Sequence, residues 1–247
     1  MLIALLTAVG VGTSTVIGSL ISFFVKKVSH KVSDAIMSFA AGIMLSATFF
    51  SLILPALENK SNTLLVILGI VCGAAFIRVI DKLVPHVHNL ISPSVNSDST
   101  GDLHKVILFL IAIAIHNFPE GLAVGVSFGT ENITNAFSIA IGISLQNIPE
   151  GMITILPLTL AGVSHKKAFL IALFTGVSEV IGVVLGYFTV SASATLLPFI
   201  LALAGGTMLY VISHDMIPET HSHGYENTAT FSLIFGFIIM IIIWSIF

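Results

Sequence analysis

Residues 107–126 read ILFLIAIAIHNFPEGLAVGV, and residues 138–157 read SIAIGISLQNIPEGMITILP. In the middle of each apolar run stands a near-copy of one phrase: His116-Asn117-Phe118-Pro119-Glu120-Gly121 and Gln146-Asn147-Ile148-Pro149-Glu150-Gly151. Each sets a carboxylate, an amide and a second metal-capable side chain where hydrocarbon should surround a helix. Ionisable groups at bilayer depth are costly and face a polar pathway or one another. Two at matching positions predict one shared site between two helices, with a divalent cation as its natural occupant.

Working outward, the chain has 247 residues, of which 56% are hydrophobic and only 9% charged. Its mean hydropathy is +1.08. A soluble domain carries roughly a quarter charged residues, so the surplus apolar surface needs lipid. Runs of about 20 apolar residues span the hydrocarbon as helices. Eight are expected: 2–24, 34–56, 62–84, 105–128, 134–162, 167–190, 194–217 and 229–247. The first lacks a basic n-region and is too long for a signal-peptide core, so it reads as a retained span. An all-α, multi-pass integral membrane protein follows, forming a single membrane domain over residues 1–247.

Loop charge sets the orientation. Lys26, Lys27, Lys31, Lys82, Lys105, Lys166 and Lys167 cluster at loops of one side, and only Lys60 falls on the other. Basic loops stay in the cytoplasm, which places both termini outside. Arg78 sits inside the third span near its basic end. The net charge of −3 identifies no partner, and no basic tract for nucleic acid is present. Cys72, the single cysteine, excludes an intrachain disulfide and a thiolate cluster, so a metal site must rely mainly on nitrogen and oxygen ligands. Residues 85–104, PHVHNLISPSVNSDSTGDLH, form a polar cytoplasmic loop. No GxxxxGK[ST] motif is present to couple the chain to ATP.

An internal echo adds topology. Ala40-Ala41-Gly42-Ile43-Met44-Leu45 in span two resembles Ala204-Gly205-Gly206-Thr207-Met208-Leu209 in span seven, with Pro55 and Pro218 near the span ends. The two spans run in opposite directions, which fits an inverted 3+2+3 repeat of the kind found in secondary transporters. Ordinary helix contacts also reuse small residues, so the echo alone leaves both readings open.

Depth and angle place the candidate ligands. His116 lies 11 positions beyond Lys105, or about 16 Å into a core about 30 Å thick, and Gln146 lies 12 positions beyond Thr134. At about 100° per residue, Glu120 projects between His116 and Asn117, and Glu150 between Gln146 and Asn147. That geometry permits a two-metal cluster bridged by both glutamates. Pro119 and Pro149 free the carbonyls of Ile115 and Leu145, and Gly121 and Gly151 allow close helix approach. Glu179, 12 positions past Lys167, brings a third acid to similar depth. The plainer alternative is two kinked helices whose polar groups bond each other; two glutamates without a cation would then repel or need protons. At the inner end of span seven, His214, Asp215 and Glu219 make a candidate exit path, followed by His221 and His223. Taken singly, His86, His88, His104, His221 and His223 read as solvated loop residues, and His30 and His165 show no role.

These residues resemble the ZIP family of divalent metal transporters. HNFPEG and QNIPEG look like its paired signatures, supported by GIML in span two, DKLVPHVH after span three and the acidic end of span seven. The resemblance covers essentially the whole chain and points to the compact bacterial branch. It implies one ion held by His116, Glu120, Gln146 and Glu150. Asn117, Asn147 and Glu179, with the bridging glutamates, would hold a second. Gln146 stands where many members have His, and Asn147 where some have Asp. A neutral oxygen in place of an imidazole loosens the preference for zinc and admits iron or manganese.

The expectation is therefore a non-enzymatic carrier moving Zn²⁺, and also Fe²⁺, Mn²⁺, Cd²⁺ or Co²⁺, into the cytoplasm. The metal is transported substrate, and no prosthetic cofactor is expected. Partners are divalent ions and the lipid bilayer, with a homodimer compatible with the chain, in a bacterial inner membrane. Two alternatives stand beside it: a membrane-embedded zinc hydrolase and a selective metal channel. The hydrolase needs two or three histidines and an open water position, and only His116 lies at mid-depth.

Overall fold

The computed structural model describes residues 2–25, 28–58, 63–83, 114, 117–130, 132–160, 163–192 and 194–246. Among them the regular structure is helical: α1 (Leu2–Ser22), α2 (His30–Ala47, prolonged to Glu58), α3 (Thr63–Leu83), α4 (117–128), α5 (Ile133–Leu160), α6 (His165–Ala192), α7 (Leu197–Val211, prolonged to Thr220) and α8 (Glu226–Ile246). Six of these, α1, α2, α3, α6, α7 and α8, are long and apolar enough to cross a membrane. The fifth expected span is the 28-residue α5. Of the fourth, residues 105–113, 115 and 116 lie outside the described residues, as does the loop 85–104. Leu64, Ile67, Leu68 and Val71 of α3 and Phe231, Phe235, Ile242 and Trp244 of α8 are exposed. Apolar surface on that scale calls for lipid.

Two helices begin or end where hydropathy does not. Helix α2 starts four residues before the expected span, because Ser29 caps it: its side chain accepts from the backbone N–H of Val32. Caps at this position favour Ser, whose oxygen satisfies a donor the helix leaves over. Helix α7 continues past the polar His214 and Asp215 through a π-helical turn, Ile212–Met216. A matching π turn, Thr48–Ile53, interrupts α2. In both, the residue just before a proline bonds five residues back: Leu54 N–H to the Phe49 carbonyl before Pro55, and Ile217 N–H to the Ile212 carbonyl before Pro218. Proline has no N–H for the carbonyl four residues behind it, so a one-residue slip of the ladder is a local solution.

Helix α1 packs on α5 and α6, α2 on α8, and α3 on α7; the main connection between these groups runs along α2 and α5. Helix α4 lies against α6. A Cβ on Gly121 would strike the backbone carbonyl of Glu179, and one on Gly125 that of Val183. Small residues at such crossings let backbones approach, and dispersion then stabilises a pair that lipid cannot drive together. The result is one group formed by α1, α4, α5 and α6, where the candidate ligands sit, and a second formed by α2, α3, α7 and α8.

Candidate metal centre

Burial of a carboxylate requires donors, since an unpaired charge in a low-dielectric interior is expensive. Glu120 on α4 and Glu179 on α6 are both fully buried. The Gln146 side-chain amide donates to Glu120 Oε1 at 2.6 Å, linking α5 to α4. One residue on, and so about 100° around α5, Asn147 Nδ2 donates to Glu179 Oε2 at 2.8 Å. Asn117 Nδ2 of α4 reaches Glu179 Oε1 at 2.6 Å. A third donor comes from α1, where Thr15 Oγ1 bonds Glu179 Oε1 at 2.7 Å. Glu179 is thus gripped by three helices.

The oxygens opposite these bonds tell the other half. Glu120 Oε2, Gln146 Oε1, Asn117 Oδ1 and Asn147 Oδ1 are buried and find no donor among the described residues. Native interiors leave few buried polar atoms unsatisfied, so four acceptors at one place require an explanation. Beside them lies a cavity of about 10 Å³, the space of one water or ion, whose polar lining is Thr15, Ser19, Asn117, Glu150 and Thr175. Glu150 is half-buried there. Gly151 admits α1: a Cβ at this position would strike the backbone carbonyl of Thr15. Ser19 Oγ donates to the carbonyls of Thr15 at 2.9 Å and Gly151 at 3.3 Å.

Six of the seven central candidates are therefore gathered in one place. Asn117 and Asn147 are hydrogen-bonded to Glu179, Gln146 is bonded to Glu120 beside them, and Glu150 lines the adjoining cavity. His116 lies outside the described residues. Among the described residues no three His, Cys, Asp or Glu side chains are poised together on a metal position, and amides fill the spaces between the acids.

A family description for ZIP zinc transporters matches residues 86–244. Zinc transporter GufA of Myxococcus xanthus is 38% identical over 240 residues, covering 94% of this chain and 94% of that protein. This chain belongs to the ZIP family. Zinc transporter ZIPB of Bordetella bronchiseptica is 34% identical over 245 residues, covering 92% and 75% respectively. Zinc transporter ZupT of Chlorobaculum parvum is 32% identical over 246 residues, covering 93% and 91%. The ZIP relatives are named as transporters and not as enzymes, which disfavours the hydrolase reading.

Beyond the ZIP hexapeptides, the C-terminal part of α7 holds His214 Nδ1 2.8 Å from Asp215 Oδ1, with the His214 ring stacked on Tyr210 at 4.9 Å. Arg78 Nη1 donates to the Tyr210 hydroxyl at 3.4 Å. Glu219 follows in the last turn of α7, half-buried. Histidines whose sequence context suggests solvation or no role sit in defined contacts. His223 Nδ1 lies 3.0 Å from Oδ1 of Asp34, which is buried, and the His30 ring stacks on His223 at 4.4 Å. His165 packs against Phe23. Thr15, Ser19 and Thr175 are site residues that reading the sequence by residue type passes over.

Proposed function

We propose that this chain carries divalent metal ions, zinc first among them, across a bilayer into the cytoplasm. The observation that supports this reading most is the surplus of acceptors: four buried oxygens without donors among the described residues, flanked by three carboxylates. A cation answers that surplus, and one with two charges answers the carboxylates as well. Glu120, Glu150, Gln146 and His116 would hold the ion. A second position at Asn117, Asn147 and Glu179 would open only when Glu179 gives up some of its three donors.

The chain would form one membrane domain of eight spans with both ends outside, as the distribution of lysines argues. The paired π turns of α2 and α7 support an inverted repeat. A carrier cycle then needs the group around α1, α4, α5 and α6 to move as a body against the other, sliding along α2 and α5. His214, Asp215 and Glu219 would receive ions released inward.

Purified protein in liposomes should accumulate radioactive zinc with saturation at low metal concentration and slow turnover. Flux that rises linearly with metal at channel-like rates would replace the carrier with a channel, and no flux would remove both. In the same vesicles Gln146→His should raise the ratio of zinc to manganese uptake by about tenfold, since an imidazole suits zinc better than an amide oxygen does. An unchanged or lower ratio would take Gln146 out of the ligand set.

A further inference from the structure

Carboxylates and amides differ in what they can offer each other. An ionised carboxylate only accepts, so an amide facing it must present its NH₂ group. Asn117 and Asn147 both face Glu179, from α4 and α5, and each therefore spends its nitrogen there. Their carbonyl oxygens are consequently turned elsewhere, buried and without donors among the described residues. The orientation of both asparagines thus depends on where Glu179 stands.

Glu179 is held from a third direction by Thr15, whose hydroxyl reaches Oε1 at 2.7 Å. Thr15 is itself buried, 4% exposed. Its backbone is fixed by the close crossing of α1 with α5 at Gly151. It also lines the ion-sized cavity shared with Asn117 and Glu150. Neighbouring hydroxyls on α1 behave differently: Thr13 and Ser14 bond back to the carbonyls of Val9 and Val11 in their own helix. Thr15 instead donates outward, across to another helix.

We infer that Thr15, acting through Glu179, positions the carbonyl oxygens of Asn117 and Asn147 toward the transported ion. It is a positioning residue, and the inference rests on the metal-carrier reading of the same cluster. Outer partners of this kind fix the direction of the groups that touch the metal. The consequence falls unevenly on different ions. Manganese depends on oxygen ligands, whereas zinc retains the imidazole of His116 in the proposed site.

The test is uptake of zinc and manganese by proteoliposomes containing wild type, Thr15→Val, Thr15→Ala or Thr15→Ser. Thr15→Val keeps the volume and removes the hydroxyl; Thr15→Ala removes it without bulk, so one serves if the other does not accumulate. Both should raise the KM for manganese by about tenfold and that for zinc by less, with Vmax little changed. Thr15→Ser, which keeps the donor, should restore the wild-type ratio. Equal KM values in all four proteins, or a Thr15→Ser protein as impaired as Thr15→Val, would overturn the inference. Wild type without flux would instead overturn the carrier reading.

Discussion

Replacing either Glu120 or Glu150 by alanine is expected to abolish zinc accumulation, in cells and in proteoliposomes, while the protein reaches the membrane in normal amount. Glu120 is fully buried, and its Oε1 holds the Gln146 amide. Alanine at this position removes one negative charge from the ion's surroundings and leaves the Gln146 nitrogen without its acceptor. Breaking a buried charge pair costs about 3–5 kcal/mol, a loss of about a hundredfold to several thousandfold in binding. Glu150 lines the cavity from the opposite helix and its removal acts on the same ion. Glu58, exposed at the end of α2, serves as the control, and Glu58→Ala should transport as wild type does. Zinc uptake undiminished in both central variants, with membrane levels confirmed, would dissolve the proposed site.

How much of this could be read beforehand depended on what kind of physics set each feature. Hydrocarbon thickness fixes helix length, so runs of apolar residues located α1, α3 and α6 to within a few residues. It says nothing about polar residues that stay helical. The Ser29 cap let α2 begin at His30, four residues before the expected start, and α7 runs past its expected end at 217 to Thr220. The paired hexapeptides announced Glu120 and Glu150 because an acid in an apolar run has few structural uses. Thr15 carried no such mark. Hydroxyls in membrane helices commonly bond their own backbone, as Thr13 and Ser14 do, and residue type cannot separate the two cases. Position could have: Gly12, Thr15, Ser19 and Ser22 recur at three- and four-residue intervals and are all buried, a small polar stripe facing α5 and α6. The contact of Asp34 with His223 joins positions 189 residues apart and had no local signal at all.

Gly121→Ala should be the most damaging change that leaves every polar group of the site in place. The added methyl would land on the carbonyl of Glu179, and that obstacle is backbone, which cannot rotate away. Helix α4 must therefore move off α6, carrying Glu120 and Asn117 with it and stretching the 2.6 Å bond from Asn117 to Glu179. Overpacking of a fitted interior costs about 1–3 kcal/mol, and a collision with backbone belongs at the upper end. For a chain of this size that corresponds to a melting point lower by about 5–10 °C. Uptake should fall by at least about tenfold as the donors lose alignment with the acids. Gly10→Ala provides the comparison, because a methyl there meets nothing within 4 Å. If Gly121→Ala melts and transports like Gly10→Ala, then α4 and α6 are not in contact at Glu179, and the shared site loses the crossing that assembles it.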